Sequence, residues 1–244
     1  MINEFQKEKF NNCIGKIYKI NNTKGIGTFQ EKTLHKVIKN YYETNEENQE
    51  VKVNGYIADI FKNNQIIEIQ TRAFNKLVPK LEKYLPDYQV NIIYPIAYQK
   101  YISWIDPNSG EEVSNRKSPK KGSFYDIILE LYKIKKFLNN PNLKITLLYL
   151  NIKELRYLNG WSKDKKRGSS RCNQIPLELV DELELNDYSI FVPEKEKEFT
   201  SKEYAKITKK TIHRAQVILN ILCFLDVIEV VGKEKRMNIY KYKK

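Results

Sequence analysis

The sequence predicts an α/β layer protein that ends in a small winged helix-turn-helix. Three observations lead there. Across residues 1–160, helical periodicities alternate with short continuous apolar runs, as expected for strands buried on both faces. Two apolar runs in the first third are separated by Asn63-Asn64, a pair that tolerates positive φ and suits a two-residue hairpin. The last fifty residues change rhythm to helix, turn, helix and two strand-like runs.

The elements follow in order. Gln30 to Tyr42 carries Leu34, Val37, Ile38 and Tyr41 on one helical face, with Gly25, Gly27 and an N-cap Thr28 before it. Thr44 to Glu50 is polar and predicts a loop. Val51–Val53, Tyr56–Phe61 and Gln65–Thr71 predict strands, the last two forming the hairpin. Ala73 to Tyr84 predicts a helix burying Phe74, Leu77, Leu81 and Leu85, stopped by Pro86. Val90–Ile96 and Tyr101–Ile105 predict two further strands, with a turn at Asp106–Gly110. Tyr125 to Leu138 predicts a helix and Ile145–Leu150 a buried strand. Near the C-terminus, Thr200 and Glu203 form a capping box for a short helix to Ile207. Thr208 then caps a helix from Lys209 to Phe224, and Val227–Val231 and Met237–Tyr242 flank a basic turn, Gly232 to Arg236.

Composition narrows the function classes. The chain has 244 residues, is 41% hydrophobic and 12% aromatic, and has no apolar run near twenty residues. Disorder and a membrane span are therefore excluded as expectations, and the charged N-terminus shows no secretory signal. Three cysteines far apart exclude a disulfide scaffold and a Cys-only zinc site. A soluble cytoplasmic protein is expected. The net charge is +13 and unevenly spread: +1 over residues 1–113, +11 over 114–171, −6 over 172–196 and +7 over 197–244. Only seven of the 43 basic residues are Arg, so lysine bias raises the total, but it does not account for the clustering. Two basic blocks around an acidic spacer point to a polyanion, and DNA is the expected partner.

The hairpin yields the sharpest inference about chemistry. With Asn63 and Asn64 as its loop, Asp59 on one strand opposes Glu68 on the other, their Cβ atoms about 4.5–5.5 Å apart. Two carboxylates among Ile57, Ile60, Ile66, Ile67 and Ile69 repel each other and lose solvation unless a cation or proton is shared. Oxygen ligands of this kind suit Mg²⁺. The competing arrangement is a solvated pair, or a register slipped by one that separates the two. Gln70 shares a strand face with Glu68.

Tyr56-Ile57-Ala58-Asp59, a hairpin and Glu68-Ile69-Gln70 resemble the core of the PD-(D/E)XK nuclease superfamily. There, a helix carrying a Glu precedes an Asp on one strand and an acid-x-Lys on the next. The resemblance implies a restriction-endonuclease-like mixed sheet flanked by helices over residues 1–190, and a winged helix over residues 191–244. It implies catalytic roles for Glu31, Asp59, Glu68 and Gln70, with Mg²⁺ or Mn²⁺ on Asp59 and Glu68, and it allows a homodimer. The departure is Gln70 in place of Lys, for which Arg72 or Lys76 are substitutes. Gly25-Ile26-Gly27-Thr28, Glu31-Lys32, Leu34-His35 and Gly160-Trp161-Ser162 also resemble an uncharacterised bacterial family that pairs this core with a C-terminal winged helix. On this reading the chain is a metal-dependent DNA endonuclease. The alternative is a non-catalytic DNA-binding regulator or scaffold with a degenerate core.

Further candidates are positional. His35 shares a helical face with Glu31, as a proton shuttle or phosphate contact or simply as a core-edge histidine. The basic loops offer Arg116, Lys117, Lys120 and Lys121, then Lys163, Lys165, Lys166, Arg167 and Arg171, as phosphate contacts. In the C-terminal part, Lys209, Lys210, His213 and Arg214 lie at the second helix and Lys233, Lys235 and Arg236 on the wing. Trp104 and Trp161 read as core aromatics.

Overall fold

The computed structural model describes residues 2–22, 33–160 and 171–243. Its centre is a mixed sheet of seven strands: β1 (Gln49–Val53), β2 (Tyr56–Lys62), β3 (Gln65–Ile69), β4 (Gln89–Ile105), β5 (Glu112–Lys117), β6 (Leu143–Tyr157) and β7 (Arg171–Glu184). The order is β1-β2-β3-β4-β6-β7, with β5 paired to the upper half of β4. β3, β4 and β6 are parallel, and β1/β2, β2/β3 and β6/β7 are antiparallel. Both early turns use residues at positive φ, Asn54-Gly55 and Asn63-Asn64, as two-residue hairpins require.

Helices cover both faces. α1 (Glu4–Asn22) and α2 (Thr33–Tyr42) lie on one, where Phe10, Cys13, Leu34, Val37, Ile38 and Tyr41 pack on Ile69, Ile93, Leu148 and Leu150. α3 (Val78–Tyr84) and α4 (Ile128–Lys133) lie on the other, against Ile66, Ile92, Ile96, Ile145 and Leu147. Ile92 and Ile93 face opposite cores, the physical reason for an unbroken apolar run in β4.

The C-terminal unit comprises β8 (Phe199–Thr200), α5 (Ser201–Thr208), α6 (Ile212–Phe224), β9 (Ile228–Glu234) and β10 (Met237–Tyr242), with strand order β8-β10-β9. Phe199, Tyr204, Ile218 and Leu222 join the same hydrophobic core as α3 and α4. Among the described residues no helix is long and apolar enough to cross a membrane.

Several boundaries differ from the sequence-based expectation. The two strands expected over residues 90–105 are one 17-residue strand, continuous through a register irregularity at Ala97–Gln99. The helices expected at 73–84 and 125–138 each begin with a 3₁₀ turn, and the second breaks at Ile134, whose φ of −114° and ψ of 17° leave the helical region. Thr208 does not cap the second C-terminal helix. Its hydroxyl bonds back to the Tyr204 carbonyl, Lys209 ends α5 at positive φ, and Thr211 caps α6. The capping box of Thr200 and Glu203 is present with both bonds made. β7 and α1 were not anticipated. Thr28 and its flanking glycines lie outside the described residues.

Candidate active site at the fork of β2 and β3

The hairpin register places Lys62 opposite Gln65, Phe61 opposite Ile66 and Ile60 opposite Ile67. The ladder stops there, and the expected opposition of Asp59 to Glu68 gives way to a fork. Asp59 pairs in neither the β1 nor the β3 ladder; instead its Oδ2 accepts the Ile69 backbone N–H at 2.7 Å. β3 stays bound to β4 on its other side through Ile69, and the Gln70 N–H donates to the Ile93 carbonyl.

Each acid has its own support. The same Asp59 oxygen lies 3.2 Å from His35 Nε2, in the first turn of α2. Burial acts to raise the Asp59 carboxyl, but the hydrogen bond and charge of His35 and the Ile69 N–H outweigh it and hold the group below its usual range. Glu68 is 2% exposed, and Lys80 of α3 donates to both its oxygens at 2.8 Å and to the Ile57 carbonyl at 2.6 Å. Burial, then the charge of Asp59, pushes Glu68 up to about 7 against the pull of Lys80. Lys80 thus fills both oxygens of Glu68, and its charge also helps hold Asp59 down, so an ammonium stands beside the acid pair where a shared cation was expected. Tyr84 stands one helical turn after Lys80, and its fully buried hydroxyl has no hydrogen-bond partner among the described residues. Burial, followed by the charges of Glu68 and Asp59, raises that phenol.

The other candidates fall in different places. Gln70 is half-buried and donates to the Arg72 carbonyl at 2.6 Å. Arg72 and Lys76 are exposed; Lys80, one turn beyond Lys76, reaches Glu68. Lys80 is the residue sequence reasoning missed. Its signal was a lysine set within the buried stripe Leu77, Leu81 and Tyr84. Glu31, Lys163, Lys165, Lys166 and Arg167 lie outside the described residues, and Arg171 opens β7.

The first basic loop runs along β4 beyond the end of β3. Arg116 and Lys117 are exposed on β5, and the chain then turns down the edge of β4. Ser118 N–H donates to the Lys100 carbonyl, and Gly122 N–H donates to the Ala97 carbonyl. A Cβ at Gly122 would lie 2.4 Å from that Ala97 oxygen, so only glycine allows this approach. Gln70 is bound at Ile93 and Gly122 at Ala97, about 13 Å apart along the strand. Lys120 and Lys121 are exposed in that loop, Lys121 over the Tyr98 ring.

In the C-terminal unit, Lys209 and His213 are exposed, Lys210 lies over Tyr125, and Arg214 is half-buried. Lys233 is on β9 and Lys235 and Arg236 are at the β9–β10 turn, all exposed. The outer face of α6 is exposed at Ile212, His213, Gln216, Asn220 and Phe224. Further along, Lys135 donates to Asn220 at 2.8 Å and covers the Phe224 ring.

No solved structure matches the chain. Over 147 residues the chain is 33% identical to a protein of Treponema pallidum (strain Nichols) described as an uncharacterized protein. That match covers 60% of this chain and 56% of the relative, so the chain spans about half the relative's length. A family model matches residues 32–186, from the start of α2 past the end of β7, and so includes His35, Asp59, Glu68 and Lys80. The chain belongs to the family described as Domain of unknown function (DUF8091).

Proposed function

We propose that this chain is a metal-dependent nuclease of the restriction-endonuclease-like class that hydrolyses DNA phosphodiester bonds, with the C-terminal unit serving as a winged helix on DNA. One observation carries the reading: two acids flank the point where β2 and β3 part, Asp59 leaning toward α2 and Glu68 toward α3. They are near enough that the charge of Asp59 raises Glu68, and Lys80 adds a cation beside them. The order of a helix, an Asp-bearing strand and a Glu-bearing strand agrees with the resemblance. The donor set fits Mg²⁺ or Mn²⁺, which take one or two carboxylates and complete their shell with water and substrate phosphate. Among the described residues no group of three His, Cys, Asp or Glu converges, and this reading assigns the ion to Asp59 and Glu68 with water and phosphate completing its shell. A bound ion of this class lowers the pKa of its water and so supplies a nucleophile.

The chain's own residues do the positioning. Ile69 N–H and His35 orient Asp59, and the apolar surroundings keep Glu68 from bulk water. Lys80 adds positive charge where an anionic phosphate would sit, and Lys120 and Lys121 extend that charge along the edge of β4. Glu68→Ala should reduce Mg²⁺-dependent DNA cleavage by at least about a hundredfold while leaving affinity in EDTA within about twofold. Cleavage that survives in this variant overturns the assignment.

The alternative is favoured by the same lysine. Lys80 satisfies both oxygens of Glu68 without an ion, as in a DNA-binding regulator or scaffold with a degenerate core. Titration with Mn²⁺ separates the two readings: a regulator gives no binding that depends on Asp59 and Glu68.

A further inference from the structure

Above the fork the sheet continues with a different edge. β5 replaces β3 beside β4, and β4 and β6 run on in register, with Lys100, Ile102 and Trp104 opposite Ile152, Glu154 and Arg156. Arg116 stands opposite Ile102 and Gln174 opposite Glu154, so these side chains form rows across one face. Glu154 is 1% exposed, and a carboxylate so placed needs partners. Lys100 Nζ lies 3.0 Å from it, Arg156 Nε and Nη2 lie 2.7 and 2.6 Å away, and Gln174 Nε2 lies 3.2 Å away.

This arrangement holds two cationic heads in fixed positions at the surface. The Lys100 and Arg156 side chains keep 28% and 23% of their surface open to solvent, and neither directs all its N–H donors at Glu154. Among the described residues, exposed Arg116 adds a third cation to this face, one strand beyond Ile102. Arg156 also lies over the indole of half-buried Trp104, 5.9 Å from the ring centroid. Fixed cations around an aromatic face are the combination that grips single-stranded nucleic acid, with phosphates on the charges and a base on the ring. The patch adjoins the fork. Thr33 in the first turn of α2 accepts from Asn173, the neighbour of Gln174, and two residues later His35 meets Asp59.

We infer that the face formed by Lys100, Trp104, Arg116 and Arg156, braced from beneath by Glu154, binds an unpaired nucleic-acid strand and leads it to the fork. The inference rests on the nuclease reading for its purpose but not for its test. The full chain with Trp161→Phe leaves Trp104 as the sole tryptophan reporter, since the sequence has two. In EDTA, oligothymidylate should quench Trp104 emission. Lys100→Ala and Arg116→Ala should each weaken that binding by about tenfold at low salt and lower its salt dependence. Arg156→Lys, which keeps the charge beside Glu154, should retain the fold and lose part of the affinity. Absence of quenching, unchanged affinity in both alanine variants, or equal quenching by a blunt duplex overturns the inference. Quenching without metal-dependent cleavage upholds the strand-binding face while removing the nuclease. Cleavage that depends on Glu68, without quenching, does the reverse.

Discussion

Glu68 and Glu154 are both glutamates on inner strands, and both are almost fully buried. Their surroundings differ in what they leave unsettled. Glu154 is held by a lysine, an arginine and a glutamine that converge from three strands. Glu68 has one lysine and a second carboxylate nearby, and its proton affinity rises toward neutrality. Burial alone therefore does not mark a functional acid. What matters is whether the protein supplies enough positive charge to satisfy it, and at the fork a second acid keeps the balance open.

The largest expected effect breaks the comparison if it fails. Glu154→Ala should destabilise the fold by about 3 kcal/mol, because two cations lose the carboxylate around which they are packed. Glu68→Ala should cost clearly less, since it also relieves the repulsion on Asp59. Urea unfolding of the two variants measures the difference, and equal losses would show that the two sites are electrostatically alike.

The next effect is one of pH. Glu68 has a native pKa raised from the usual 4.5 to about 7, so between those values the native state holds a proton that the unfolded chain has released. Stability from this group is therefore present below about pH 4.5 and lost as pH rises toward 7. Glu68→Gln should flatten that decline. Metal binding needs the ionised form, so the Mn²⁺ affinity of the wild type should climb with pH up to about 7 and level off above it. An unchanged stability slope in the variant would place Glu68 among ordinary carboxylates.

The smallest effect sharpens the role of His35. His35→Ala removes one partner of Asp59 but leaves the Ile69 N–H, so stability should change by about 1 kcal/mol or less. Cleavage should fall by about tenfold, with its acid limb shifted to higher pH, because the His35 charge also acts to lower Glu68, the acid that titrates last. An acid limb that does not move would assign His35 to helix packing alone.

The local features of the site were legible in the sequence. Asn63-Asn64 adopts the positive φ values of a two-residue turn, and this sets the pairing as far as Ile60 and Ile67. The apolar stripes of α2 and the helix at 74–84 are buried as their spacing requires. β7 was not legible, because exposed Glu178 and Glu184, together with Glu182 beneath α2, make an edge strand read as an acidic spacer. α1 was missed because Phe10, Cys13 and Ile17 are diluted among Lys and Asn.

The sequence by itself determined the Asn63-Asn64 turn, the Thr200–Glu203 cap, the buried faces and the presence of two acids nine residues apart in one hairpin. These depend on short-range sterics and hydrophobic periodicity, which neighbouring residues settle among themselves. Only the tertiary structure decided that the hairpin parts at Asp59, that Lys80 and not Arg72 or Lys76 reaches Glu68, and that the C-terminal helices share a core with α3 and α4. Those outcomes depend on where a helix crosses a sheet, and crossing points are set by packing between elements distant in the chain.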